Sequence, residues 1–175
     1  MSLIEHARLF ATAAHAAIGQ RRKYTDDPYI VHPQAVAELV STVPHTPAMI
    51  AAAWLHDVVE DTEITSKDIH THFGEEVGLL VDGLTDVSCL EDGNRKVRKA
   101  LDHAHTAKQS PECKTIKLAD LIDNSISIRR YGKGFARIFM EEMRLSLQVL
   151  KEGDATLWQR AFEITQQTSA PSTQR

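Results

Sequence analysis

Apolar residues recur at helical spacing along almost the whole chain. Leu3, Ile4, Ala7, Phe10, Ala11, Ala14 and Ile18 line one face of a first helix, and Gly19 is placed to stop it. A loop carrying both signs of charge, Arg21 to Pro28, comes next, and Pro33 suits the first turn of a second helix reaching about Val40. Pro44 and Pro47 bracket a short connection. The run Ala48-Met49-Ile50-Ala51-Ala52-Ala53-Trp54-Leu55 is apolar on every side, the pattern of a buried helix, and it ends in His56-Asp57-Val58-Val59-Glu60-Asp61. Thr65 to Asp68 reads as a capping box, with Asp68 in place of the usual glutamate. Gly74 separates the helix it opens from another, Glu75 to about Leu84. Asp86 to Asn94 is a polar loop, and Arg95 to Lys108 is helical by pattern. Ser110-Pro111-Glu112 opens a helix carrying Ile116, Leu118, Ala119, Leu121 and Ile122. After Tyr131-Gly132-Lys133-Gly134 a long helix, Phe135 to Leu150, and a shorter one, Ala155 to about Ile164, complete the chain. With no alternating strand of useful length and no internal repeat, the pattern predicts an all-α fold. It forms a single compact domain over residues 1–165, followed by a disordered polar tail at 166–175.

Composition narrows the function classes. At 175 residues with 42% hydrophobic and 25% charged positions, the chain has ordinary globular values and enough apolar material to enclose a site. Its formal net charge of −4 argues against a general nucleic-acid or membrane-surface binder, which is usually basic. No apolar stretch approaches the ~20 residues of a membrane span. The start, MSLIEHARLF, lacks the basic and apolar regions of a secretion signal. The two cysteines, Cys89 and Cys113, stand far apart and form no CxxC pair, so a disulfide framework is not expected and a reducing, cytoplasmic setting is.

The segment that invites chemistry is Ala51 to Asp61. A helix apolar enough to be buried does not normally end in four ionisable side chains, because burying unpaired charge is costly. His56 and Asp57 are adjacent and project about 100° apart, so both reach one ion only near a helix end. Glu60 shares a face with His56, and Asp61 with Asp57. Two readings stay open on this segment alone: an ion site with carboxylates beside it for proton transfer, or a helix that simply surfaces there. Two other segments bear on the choice. Pro28-Tyr29-Ile30-Val31-His32-Pro33 holds one histidine between apolar residues and a proline, and Lys117-Leu118-Ala119-Asp120-Leu121-Ile122-Asp123-Asn124 holds an aspartate in an apolar stripe. His32, His56, Asp57 and Asp120 together offer two imidazoles and two carboxylates. That set suits Mn²⁺ or Fe²⁺ better than structural zinc.

The ordered set His32, His56-Asp57, Asp120 resembles the H…HD…D signature of HD-domain metal-dependent phosphohydrolases. The wider text, RRK…PYIVHP, AAAWLHDVVEDT, FGEEVGLLVDGLTD and KLADLIDN, is similar to the hydrolase domain of the RelA/SpoT alarmone enzymes, especially their small stand-alone members. The resemblance covers roughly Leu3 to Leu150. It implies an HD-type helical bundle and manganese-dependent removal of the 3′-pyrophosphate from ppGpp or pppGpp, a nucleotide substrate. The implied metal ligands are His32, His56, Asp57 and Asp120. Glu60 and Asp61 match the family's catalytic ED pair, which positions or deprotonates the attacking water. Arg22 and Lys23 match the RK pair that contacts substrate, and Asn124 matches a nucleotide-contacting asparagine. Asn94 stands as a further substrate-binding candidate, beside Arg95 and a second basic group.

The chain departs from the family's pattern at Tyr24-Thr25-Asp26-Asp27, where many relatives have a glycine-containing turn, and at Asp86, where long members often carry lysine. These departures leave adenine alarmones open as substrates. HD-type hydrolysis of another nucleotide, or nucleotide binding without catalysis, are the further alternatives. His70-x-His72 and His103-x-His105 resemble chelators, but an i,i+2 pair on a helix points about 200° apart and the four are read as surface histidines. Trp54 belongs to the core stripe, and Trp158 with Phe162 is spaced to dock the last helix.

Overall fold

The computed structural model describes residues 1–167, and these contain ten α-helices, one 3₁₀ turn and no strand. α1 (Leu3–Ala17), α2 (Val31–Ser41), α3 (Pro47–Leu55), α4 (Val58–Asp61), α5 (Ser66–Phe73) and α6 (Glu75–Leu84) form the first half. After the 3₁₀ turn Leu90–Asp92 come α7 (Arg95–Ala107), α8 (Pro111–Tyr131), α9 (Lys133–Val149) and α10 (Ala155–Gln166). The expected tail begins inside this last helix at Gln166, and from residue 168 on it lies outside the described residues. Among the described residues no helix is long and apolar enough to cross a membrane.

α3 is the axis of the fold. All eight residues from Ala48 to Leu55 are buried, and the helix packs against α1, α2, α6 and α8. Small side chains make this possible: Ala51, Ala52 and Ala53 face a core that includes Ala7 and Ala11 of α1, so backbones approach closely. Thr46 caps the helix by accepting the Met49 N–H, and Pro47 occupies its first turn. The expected capping box is present, Thr65 and Asp68 each accepting the other's backbone N–H.

Three boundaries differ from the pattern. The apolar run and the acidic residues after it read as one element, yet the chain turns at His56 and Asp57 and restarts as α4. The polar loop Asp86–Asn94 contains the short 3₁₀ turn. Between α8 and α9 the expected four-residue break contracts to Gly132, because the Gly132 N–H still bonds to Ile128 O at 2.7 Å. Trp158 stacks on Phe162 at 5.3 Å between ring centres and donates its indole N–H to Leu147 O, which docks α10 on α9.

Candidate metal centre and cavity

The turn at His56-Asp57 is what lets two adjacent residues face one point. Where α3 ends its last carbonyls have no helical partner, and the His56 ring takes one of them: Nδ1 donates to Ala53 O at 2.8 Å. That fixes Nδ1 as the protonated nitrogen and leaves Nε2 a bare lone pair. His32, from the first turn of α2, is held alike, with Nδ1 2.6 Å from Asp123 Oδ2 of α8. Both bare nitrogens point at one another, 3.2 Å apart. Asp57 Oδ2 lies 3.0 Å from His56 Nε2 and 3.5 Å from His32 Nε2. Asp120 Oδ1 lies 3.2 Å from His32 Nε2 and 3.8 Å from His56 Nε2.

Two imidazole lone pairs and two carboxylates facing one another need a positive charge among them. Without an ion, protons serve: burial disfavours the charged His32 ring, but Asp120, Asp123 and Asp57 push it up to about 9. His56 is raised by Asp57 and Asp120 against its burial. Burial alone raises the carboxyl of Asp57, but His56 and His32 hold it far below the usual range. Asp120 falls to about 2 for the matching reason, through His32 and Lys117. A divalent cation satisfies the same atoms without those protons. The donor atoms of His32, His56 and Asp57 lie within 4.8 Å of one another, and Asp120 closes a fourth side, so the residues fit such an ion. Asp123→Ala, which frees the His32 ring, is expected to weaken cation affinity by ~10- to 100-fold, read by metal titration.

The cluster opens into a cavity of about 260 Å³ whose wall includes Asp57, Glu60, Asp61 and Asp120. Glu60 is exposed as a residue, but one carboxyl oxygen accepts the Asp86 N–H at 2.6 Å. Burial and then the Asp86 carboxylate push it up to about 7, with Lys117 opposing. Asp61 Oδ2 accepts from Gln20 Nε2 at 2.8 Å. Asp57 also accepts from the Tyr29 hydroxyl at 2.5 Å. Two more cavities adjoin the first. One of about 420 Å³ shares Glu60, Asp86, Arg95, Lys99 and Asp102 with it. The other, about 380 Å³, shares Tyr29, Asp61 and Asn124, and both Arg22 and Lys23 line it. Arg22 is tied to α8, donating to Asn124 Oδ1 at 3.1 Å, while Asn124 Nδ2 donates to Asp120 Oδ1 at 2.6 Å.

Nine of the ten expected site residues thus come together in the ion cluster, the cavity it opens into and the cavity of Arg22 and Lys23 beside it. Asn94 does not. It is exposed, lines none of these cavities, and its amide oxygen caps α7 by accepting the Lys96 and Val97 N–H groups at 3.0 and 3.2 Å. That oxygen is committed to the helix N-terminus. Asn94→Ala is expected to cost about 1 kcal/mol of stability in chemical denaturation and leave KM unchanged.

Several cavity residues escape the sequence reading. Lys117, one turn before Asp120, lies 3.6 Å from Asp120 Oδ2 and 3.8 Å from Asp86 Oδ1. Lys99 lies 3.0 Å from Asp86 Oδ2. His103 is not a surface residue: it lines the cavity, 2.8 Å from Ser146 Oγ, while His105 turns away to Asp82 O. The i,i+2 divergence is real, but it separates one histidine of the pair into the cavity. The spacing Lys117, Asp120, Asp123, Asn124 marks a single polar face of α8 and is the signal that points to Lys117 and Asp123.

Known proteins resemble this chain in sequence and in fold. The family described as HD domain matches residues 7–128. The guanosine-3′,5′-bis(diphosphate) 3′-pyrophosphohydrolase MESH1 of Xenopus tropicalis is 38% identical over 133 residues, 74% of this chain and 71% of that one. A probable guanosine-3′,5′-bis(diphosphate) 3′-pyrophosphohydrolase of Synechocystis is 49% identical over 86 residues, but this match spans only 11% of that longer protein. A GTP pyrophosphokinase of Streptomyces coelicolor, 38% identical over 127 residues, is matched over 15% of its length. The solved structure of a metazoan ortholog of SpoT, described as hydrolysing ppGpp, superposes with a TM-score of 0.85 at 28% identity, covering 95% of this chain and 96% of that one. The chain belongs to the HD-domain family, in the branch that contains the MESH1-type proteins.

Proposed function

We propose that this chain is a metal-dependent pyrophosphohydrolase that removes the 3′-pyrophosphate of guanosine polyphosphate alarmones, ppGpp or pppGpp, and releases pyrophosphate with GDP or GTP. The observation that carries the reading is the pair of facing Nε2 atoms, 3.2 Å apart with Asp57 and Asp120 beside them, at the wall of a cavity that also holds Glu60 and Asp61. The named activities of MESH1 and of the SpoT ortholog support it. Two imidazoles with two carboxylates favour Mn²⁺, held by His32, His56, Asp57 and Asp120. When bound, such an ion supplies Lewis-acid polarisation of a phosphoryl oxygen and a more acidic water.

The chain's own groups supply the rest. Of the two carboxylates one turn beyond the ligands, Glu60 accepts the proton of the attacking water and Asp61 orients that water. Lys117 and Lys99, now neutralised by Asp86 and Asp120, stand where a polyphosphate would exchange carboxylate partners for phosphate oxygens. Arg22, Lys23 and Asn124 border the nucleoside end. The side chains of Arg22 and Asn124 already hold each other in place, which lowers the cost of ordering them on binding.

The test is product analysis with Mn²⁺ over ppGpp, pppGpp, ppApp and nucleoside monophosphates. Release of pyrophosphate from the guanine alarmones is the expected result. Turnover of adenine alarmones alone would move the base assignment, turnover of monophosphates alone would make it a nucleotidase, and tight binding without turnover would make it a binding module.

A further inference from the structure

α1 ends in a turn that brings a buried histidine to the acidic edge of the site. Gly19, at φ +61°, lets the chain reverse so that its own N–H bonds to Ala16 O at 3.0 Å and the Gln20 N–H bonds back to His15 O at 3.1 Å. This is the Schellman arrangement, which stacks the second residue past the cap over the third residue from the helix end. An apolar contact usually joins those two positions. Here it is polar: His15 Nδ1 lies 2.7 Å from Gln20 Oε1.

The polarity of this chain of bonds is dictated from the site inward. Asp61 is an acceptor only, so the Gln20 amide presents its N–H to Asp61 Oδ2, at 2.8 Å. The amide oxygen then faces His15 and requires a proton on Nδ1. His15 is 1% exposed and burial lowers its pKa, so the ring is neutral and carries one proton. With that proton on Nδ1, Nε2 is bare, and Nε2 is one of two buried side-chain polar atoms without a partner among the described residues. The ring also packs on Tyr29 at 4.7 Å, and the Gln20 carbonyl accepts the Tyr29 N–H at 3.1 Å. An acceptor nitrogen left unpaired in a ring 1% exposed costs stability whatever the other nitrogen does.

We propose that His15 is a positioning residue which, through Gln20, fixes the direction of the Asp61 carboxylate toward the cavity. The inference rests on the hydrolase reading above for its consequence in turnover, but its geometry is tested without metal or substrate. In metal-free protein, ¹H–¹⁵N spectra of the histidine side chains should show His15 as the neutral Nδ1–H tautomer. An Nε2–H tautomer reverses the amide and overturns the proposal.

With Mn²⁺ and alarmone, His15→Phe keeps a ring against Tyr29 but lacks the donor. It should lower kcat by ~10- to 100-fold, the scale of a misdirected catalytic group, with KM and metal content unchanged. His15→Asn places an amide N–H where Nδ1–H was and should recover most of kcat. Gln20→Met, which breaks the same link from the other side, should repeat the His15→Phe loss if that variant fails to fold. In an Asp61→Asn background His15→Phe should add nothing. Unchanged kcat in His15→Phe and Gln20→Met overturns the relay. So does an equal loss in the Phe and Asn variants with falling metal content and thermal stability, because that marks a packing role alone. A wild type that turns over no alarmone sinks the hydrolase reading instead, and the tautomer then decides the relay alone.

Discussion

Asp57→Ala is expected to lose bound divalent cation and turnover together. Asp57 and Asp120 each reach both imidazoles, and Asp57 is much the nearer to His56, 3.0 Å from its Nε2 against 3.8 Å, while lying 3.5 Å from His32 Nε2. It also sits at the turn that aims His56 at the centre. Its removal leaves two lone pairs 3.2 Å apart with only Asp120 to balance a cation. Loss of an outer-shell partner costs ~10- to 100-fold in metal affinity, and loss of a ligand that bridges two others costs more. Elemental analysis after gel filtration should find the variant without metal, and alarmone turnover should fall to background. The fold should persist, because Asp57 is not part of the apolar core and its backbone keeps the Asp61 N–H bond that starts α4. Metal retained at the wild-type level with activity gone would show that the cation is held elsewhere.

The frame of this site is legible in the sequence because it is local. An apolar run that ends in ionisable residues has to surface at a turn, and α3 does so at His56. Pro33 and the apolar residues around His32 place that ring in the first turn of α2, and the apolar stripe around Asp120 places its carboxylate inside. The second wall is not local. Lys99, His103 and Ser146 belong to α7 and α9, which carry few buried residues, and on α7 the pattern points the wrong way: Val97 and Leu101 of its apolar stripe stay exposed, while Lys99, Asp102 and His103 line the cavity. Asn94 is the counterpart case. A polar residue beside basic ones suits a substrate contact, but the same residue before Arg95 is also a cap, and capping takes the side chain. His15 illustrates a third limit: only the reversal at Gly19 brings it to Gln20, and Gln20 reaches Asp61 across 41 positions of chain.

Glu60→Gln separates binding of the cation from proton transfer. Glu60 is held by the Asp86 N–H and is not one of the four expected ligands, so the variant should retain its metal and lose turnover by ~10²-fold or more, the scale of a general base. The pH profile makes the assignment specific. Burial, then Asp86, push the Glu60 carboxyl up to about 7 against Lys117 and the Asp86 N–H. A base works only when ionised, so kcat/KM should climb about tenfold per pH unit below that value and flatten above it. A dication at His32, His56, Asp57 and Asp120 stabilises the ionised form, so in the loaded enzyme the inflection moves down from 7 and never up. At saturating Mn²⁺, which keeps protons off His32 and His56, this limb should vanish in Glu60→Gln, leaving a flat acidic side. Asp86→Asn should move the same inflection further down, because it removes the second-largest cause of the shift while keeping the backbone N–H that holds the carboxyl in place. An acid limb that survives unchanged in Glu60→Gln would assign the proton to another group, and Asp61, held by Gln20 on the adjacent side of the cavity, would be the next to test.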